Sequence, residues 1–136
     1  MSDGRARRAN APLDGTASTA RQRAYGYGRR AERWAAWWLR LKGYRILARD
    51  FRVPAGEIDL VIRRGGVLAL VEVKARTSLD EAANALNARQ RRRIERAGAV
   101  FLQRRPDLAG MDLRFDMVLL APGRWPRHMA DAWRIG

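Results

Sequence analysis

A chain of 136 residues with no cysteine and a formal net charge of +14 is long enough for one domain with its own core and short for two. Without thiols it has no disulfide staple, no zinc–thiolate site and no cysteine nucleophile. Of its 28 basic residues only Lys42 and Lys74 are lysines, and an excess of this size favours a polyanionic partner, most simply nucleic acid, because released counterions drive association. An anionic membrane surface or ribosomal RNA accounts for the same charge, and a GC-rich genome for the preference for arginine. No apolar run approaches the roughly 20 residues that span a bilayer, and the first residues lack the apolar core of a secretory signal. The expectation is a cytoplasmic protein with no membrane association.

Residues 1 to 24, rich in Arg, Ala, Gly, Ser and Thr, read as a disordered basic tail, leaving 25 to 136 as a single domain. A first helix is expected from about Gly28 to Lys42. Ala31, Ala35, Trp38 and Leu39 supply its apolar side, and Gly43 follows as a C-cap. Glu32 sits at the border of that apolar side: either a first-turn acid favoured by the helix dipole or a carboxylate aimed at a site. Tyr44 to Arg52 reads as a strand that ends before Val53-Pro54. Gly56 to Arg63 and Val67 to Lys74 read as two more, joined across Gly65-Gly66 as a hairpin. Thr77 to Leu86 is a loop or short helical turn. Asn87 opens a second helix with Gln90 in the capping-box position and Ile94, Ala97, Phe101 and Leu102 as its apolar stripe. Leu113 to Leu120 and Met129 to Ile135 are the last strands. The order α-β-β-β-α-β-β predicts an α/β fold with a mixed five-stranded sheet flanked by helices.

The chemistry lies in the hairpin. Glu57 and Asp59 interrupt one apolar strand, Glu72 and Lys74 the next, and buried charge is costly unless paired or bound to a metal. Side chains alternate along a strand. Glu57 and Asp59 are therefore expected on one face and Ile58, Leu60 and Ile62 on the other, while Leu70, Glu72 and Lys74 lie opposite Val71 and Val73. A solvent-facing cross-strand pair would explain Glu72 and Lys74 alone, but Glu57 and Asp59 repel each other unless a cation joins them. The chain has five glutamates, and three of them, Glu32, Glu57 and Glu72, would converge here. Hard oxygen ligands of this kind suit Mg²⁺.

The segments Gly28-Arg-Arg-Ala-Glu32, Gly43-Tyr-Arg-Ile-Leu47, Gly56-Glu-Ile-Asp-Leu60, Val71-Glu-Val-Lys-Ala-Arg76, Gln90-Arg-Arg-Arg-Ile94 and Arg114-Phe-Asp-Met-Val118 resemble the YraN family, small bacterial proteins similar to Holliday-junction-resolvase-type nucleases. The resemblance implies a restriction-endonuclease-like core with a metal-dependent PD-(D/E)xK site. Asp59, Glu72 and Lys74 match its catalytic core, and Glu32 matches the extra helix acid of the resolvase-like branch. Asp59, Glu72 and Glu32, with the Val73 carbonyl, would ligate Mg²⁺ or Mn²⁺. Glu57 and Gln90 are accessory candidates. Asp50 stands where the family usually has asparagine, and Ala31 where it usually has glycine.

Arg76, Arg89, Arg92, Arg93 and Arg96 are the candidates for phosphate contact, although any one alone reads as a solvated surface residue. Asp116 is expected to pair with an arginine and hold the sheet. Trp34, Trp37 and Trp38 read as core or as a dimer face rather than as base-stacking platforms, and a homodimer suits an enzyme that cuts two strands. The leading expectation is a metal-dependent endonuclease acting on branched or otherwise non-canonical DNA. The competing one is a non-catalytic nucleic-acid-binding or partner-binding module on the same fold. A role in RNA processing or at the ribosome fits the charge equally well.

Overall fold

The computed structural model describes the backbone of residues 15–135 and the side chains of residues 28–135. Helix α1 (Gly15–Leu41) precedes the hairpin strands β1 (Arg45–Val53), β2 (Gly56–Arg64) and β3 (Val67–Ala75). The short α2 (Leu79–Ala83), α3 (Ala88–Arg104) and a 3-10 turn (Pro106–Leu108) lead to β4 (Asp112–Leu120) and β5 (Arg127–Trp133). The five strands form one sheet in the order β1-β2-β3-β4-β5. All neighbours are antiparallel except β3 and β4, which the α2–α3 crossover makes parallel. This is the mixed α/β sheet expected, consistent with a restriction-endonuclease-like core. The segment between 77 and 86 adds the short α2, and α1 begins earlier than expected, at Gly15. Of the expected basic tail, residues 1–14 lie outside the described residues.

Two apolar layers clamp the sheet. On one side Ala31, Ala35, Ala36 and Leu39 of α1 pack on Leu60, Ile62, Ala69, Val71 and Val118. On the other, Ile94, Ala97 and Phe101 of α3 pack on Ile58, Val61, Leu68, Leu70 and Met117. The end of α1 is fixed by a left-handed Gly43 (φ 93°). Its N–H donates to the Arg40 carbonyl at 2.9 Å, and the Tyr44 N–H donates to Leu39 at 3.0 Å, the double closure that glycine permits at a helix terminus. Asn87 and Gln90 form the expected capping box at the start of α3.

The expected alternation along β2 fails at one place. Ile58 packs with the α3 layer while Leu60 and Ile62 face α1, so these three do not share a face. Ile58 and Val61, three residues apart, lie on the same side. On β1, Ala48 and Phe51 do likewise. Both strands change phase at one level, where Asp50 takes a left-handed backbone (φ 50°). Asparagine and aspartate tolerate that conformation better than most residues, which accounts for the polar residue at position 50.

Candidate metal-ion and phosphodiester site

The site lies where β2 and β3 part. Their ladder ends at Leu60 opposite Val71. Beyond it β2 stays paired only to β1, with Phe51 opposite Ile58 and Arg52 opposite Glu57. β3 stays paired only to β4, from Glu72 opposite Met117 to Ala75 opposite Leu120. The notch leaves backbone groups of both strands without a ladder partner, and Asp59 takes one of them: the Val73 N–H donates to its Oδ2 at 2.8 Å. Gly56 sets the depth of the notch. A Cβ there would stand 1.8 Å from the Arg93 carbonyl oxygen, so only glycine lets β2 start this close under α3.

Glu72, the residue before Val73 on β3, is ion-paired to Lys74 at 3.0 Å and lies near enough to Asp59 for that charge to raise its proton affinity. The Glu72 and Lys74 side chains are only 12 % and 11 % exposed. Glu32 approaches from α1, near enough for the charge of Asp59 to raise its proton affinity. Three acids from three elements therefore meet, and their proton affinities record the crowding. Burial, then the charge of Asp59, raises Glu72 to about 8. Burial, then the charges of Asp59 and Asp50, raises Glu32 to about 7. Burial also raises Asp59, against the hydrogen bond from the Val73 N–H.

Glu57 is exposed and lies within range for its charge to raise Asp59. Its nearest cation is Arg52, whose Nε stands 3.9 Å from it and 2.8 Å from Asp50 Oδ1. Arg52 also pulls Glu32 downward. Sequence reasoning overlooked Asp50 and Arg52 as neighbours of the site, because the pattern that could have flagged them, a polar pair ending an apolar strand, is common at strand ends.

Hard carboxylate oxygens and a nearby main-chain carbonyl at Val73 have the chemistry of a Mg²⁺ site. Among the described residues no three of His, Asp or Glu form a ready cage, because Asp59 is turned to the Val73 N–H and Glu72 to Lys74.

The arginine candidates divide. Arg89, Arg92 and Arg96 are exposed along α3, and Arg93 is half-buried above Gly56. Arg76 folds back on its own strand, its Nη1 donating to the Ala75 carbonyl at 2.7 Å. Gln90 spends its amide oxygen on the Asn87 N–H.

A second polar cluster lies across the sheet on β4 and β5. Asp116, 0 % exposed, receives two bonds from Arg114 at 2.8 Å, one from the Asp131 N–H at 2.9 Å and a contact with His128 Nε2 at 2.7 Å. Arg114 also donates to the Tyr44 hydroxyl, and Lys42 Nζ lies 2.6 Å from His128 Nδ1. Asp116 thus has the arginine partner expected of it. Sequence reasoning gave His128 no role, since its partners are far away in the chain.

Residues 31–120 match the profile of UPF0102, described as an uncharacterised protein family. The chain is 63 % identical over 111 residues to the UPF0102 protein of Parvibaculum lavamentivorans, covering 82 % of this chain and 84 % of that one. It is 57 % identical over 122 residues to UPF0102 protein amb4503 of Paramagnetospirillum magneticum (87 % and 95 %). It is 51 % identical over 117 residues to a UPF0102 protein of Chelativorans sp. (86 % and 94 %).

Proposed function

We propose that this chain, which belongs to the uncharacterised protein family UPF0102, is a metal-dependent endonuclease that hydrolyses phosphodiesters in branched or otherwise non-canonical DNA. One observation carries the reading: Glu32, Asp59 and Glu72 meet in the notch between β2 and β3 with Lys74 paired to the last of them. Three mutually repelling acids are an expensive arrangement for a purely structural purpose, whereas a divalent cation turns their repulsion into binding energy.

Asp59, Glu72, Glu32 and the Val73 carbonyl would hold Mg²⁺ or Mn²⁺. When bound, such an ion neutralises charge on the phosphodiester and acidifies a water. Lys74 keeps an ammonium beside the acids, placed to orient the attacking water or to stabilise charge that develops on the phosphate. Arg89, Arg92 and Arg96, exposed on α3, hold the polyanion by its backbone, with Arg93 and Arg76 at the edges of that surface. Glu57 tunes the acids from outside, and Gln90 fixes the start of the helix that carries the arginines.

The test is cleavage of labelled four-way junction, flap, duplex and single strand with Mg²⁺ or Mn²⁺, with Asp59→Ala beside wild type. Metal-dependent cutting that disappears in the variant supports the reading. Equal cutting by both proteins would sink it. The competing reading, a non-catalytic nucleic-acid-binding module, draws on the acids' present engagement with Lys74 and Val73. Tight binding with no cutting by either protein would favour it.

A further inference from the structure

The outer side of α1 and the β4–β5 loop together carry four of the chain's five tryptophans. Trp34 and Trp37 are 53 % and 46 % exposed and meet edge to face with ring centres 5.4 Å apart. Trp125 is 71 % exposed and stacks on Trp38 at 5.7 Å. Leu41, one turn beyond Trp37, is exposed as well. Large aromatic rings left in water on this scale mark a binding surface rather than a core. Of the two expectations for Trp34 and Trp37, core or dimer face, their exposure removes the first.

The surroundings select the occupant. Positions 33–42 and 122–127 contain no Asp or Glu, and Arg33, Arg40, Arg124 and Arg127 are all exposed. A second copy of the chain would set these arginines against identical ones, with no carboxylate to receive them. A bilayer-binding face is expected to offer a broad aliphatic surface, yet among the described residues Leu41 is the one large aliphatic residue exposed here. Interleaved indoles and guanidiniums match the faces of bases and the phosphates between them, a pairing available when bases are unstacked from a duplex. We infer that this ridge binds a single-stranded segment of nucleic acid. Its biological meaning rests on the nuclease reading, since α1 also supplies Glu32: a substrate with an unpaired arm would be held on the helix that completes the site.

The experiment measures binding in EDTA of a fluorescent single strand of about 16 nucleotides and of the matching duplex. Wild type is compared with Trp34→Ala/Trp37→Ala, Trp125→Ala, Trp34→Phe/Trp37→Phe and Asp59→Asn. The alanine double variant should lose about tenfold or more in single-strand affinity. Trp125→Ala should lose several-fold, the phenylalanine variant should keep most of the affinity, and duplex binding should change less than about twofold. Asp59→Asn should bind the single strand as wild type does, whether or not the protein cuts. Single-strand affinity unchanged in the alanine variants would overturn the inference, as would equal losses on single strand and duplex. So would loss of phosphatidylserine-vesicle binding, or of self-association, with strand binding intact. Strand binding through the tryptophans without any cutting would leave the ridge standing and the nuclease reading fallen. Cutting that ignores the tryptophans would do the reverse.

Discussion

Asp59 accepts the Val73 N–H at 2.8 Å, one step past the last rung of the β2–β3 ladder. A side chain there takes over a hydrogen bond that a backbone carbonyl would otherwise make. The carboxylate is therefore fixed by the way the two strands separate, and its position does not depend on a rotamer chosen by solvent. The half-buried acid is thereby held at a fixed place between the two strands.

Asp59→Asn keeps a carbonyl oxygen for the Val73 N–H, so the fold should survive with a melting temperature close to wild type. Cutting should fall at least on the order of a hundredfold. The stabilisation that Mg²⁺ or Mn²⁺ gives, which grows with the logarithm of free metal over its dissociation constant, should vanish. Thermal melts over a metal titration check this directly. An Asn variant stabilised by metal as strongly as wild type would remove Asp59 from the ligand set.

Lys74 and Glu72 form a nearly buried pair. Breaking such a pair commonly costs about 3–5 kcal/mol when the survivor remains charged. Here the survivor can take a proton, because burial and Asp59 already hold Glu72 at about 8. Lys74→Met should therefore cost well under that figure at neutral pH, while abolishing cleavage and leaving metal-dependent stabilisation in place. Denaturant melts with and without metal separate these effects. A loss at the full buried-pair level would mean that Glu72 stays ionised in the metal-free protein.

The acids of the notch were legible because carboxylates inside Val- and Leu-rich strands stand out against their neighbours. Glu32 was legible as a border residue of an amphipathic helix. The β2–β3 hairpin brings Asp59 and Glu72 together, and the packing of α1 on the sheet adds Glu32. The phase change at Asp50 was not legible, since a period of two assumes regular extended backbone and nothing in Arg-Asp-Phe demands a left-handed residue. Ile58, on the neighbouring strand at the same level, lies on the opposite face from Leu60. The Asp116–His128–Lys42 chain was hidden for a different reason: Lys42 and His128 are 86 residues apart, and only tertiary folding brings them together.

Asp116 offers a prediction at acid pH. Burial opposes its charge, yet bonds from His128, Arg114 and the Asp131 N–H outweigh that and hold its pKa below the usual carboxylate value. A group with a depressed folded pKa stabilises the protein above its unfolded value, near 3.9, and that contribution is lost as pH falls through the lower folded value. Asp116→Asn should cost on the order of 3 kcal/mol at pH 7, because Arg114 keeps a charge without its partner. The acid limb of its stability curve should also be flatter than that of wild type. Urea melts from pH 3 to 7 test both statements, and parallel acid limbs would show that Asp116 is not the group that titrates.

The exposed arginines of α3 should act through phosphates alone. Arg89→Ala/Arg92→Ala/Arg96→Ala removes three cations from a surface whose helix is held by the Asn87–Gln90 box and by Ile94, Ala97 and Phe101, so stability should change little. Each lost phosphate contact should lower the slope of log affinity against log salt by about 0.7 on single strands and about 0.9 on duplex. If all three touch phosphate, the duplex slope should fall by roughly 2–3, with the loss the same for every sequence tested. Binding isotherms at several salt concentrations measure the slope. A variant that weakens binding while leaving the slope untouched would place the arginines on bases or on the fold, and not on the backbone of the nucleic acid.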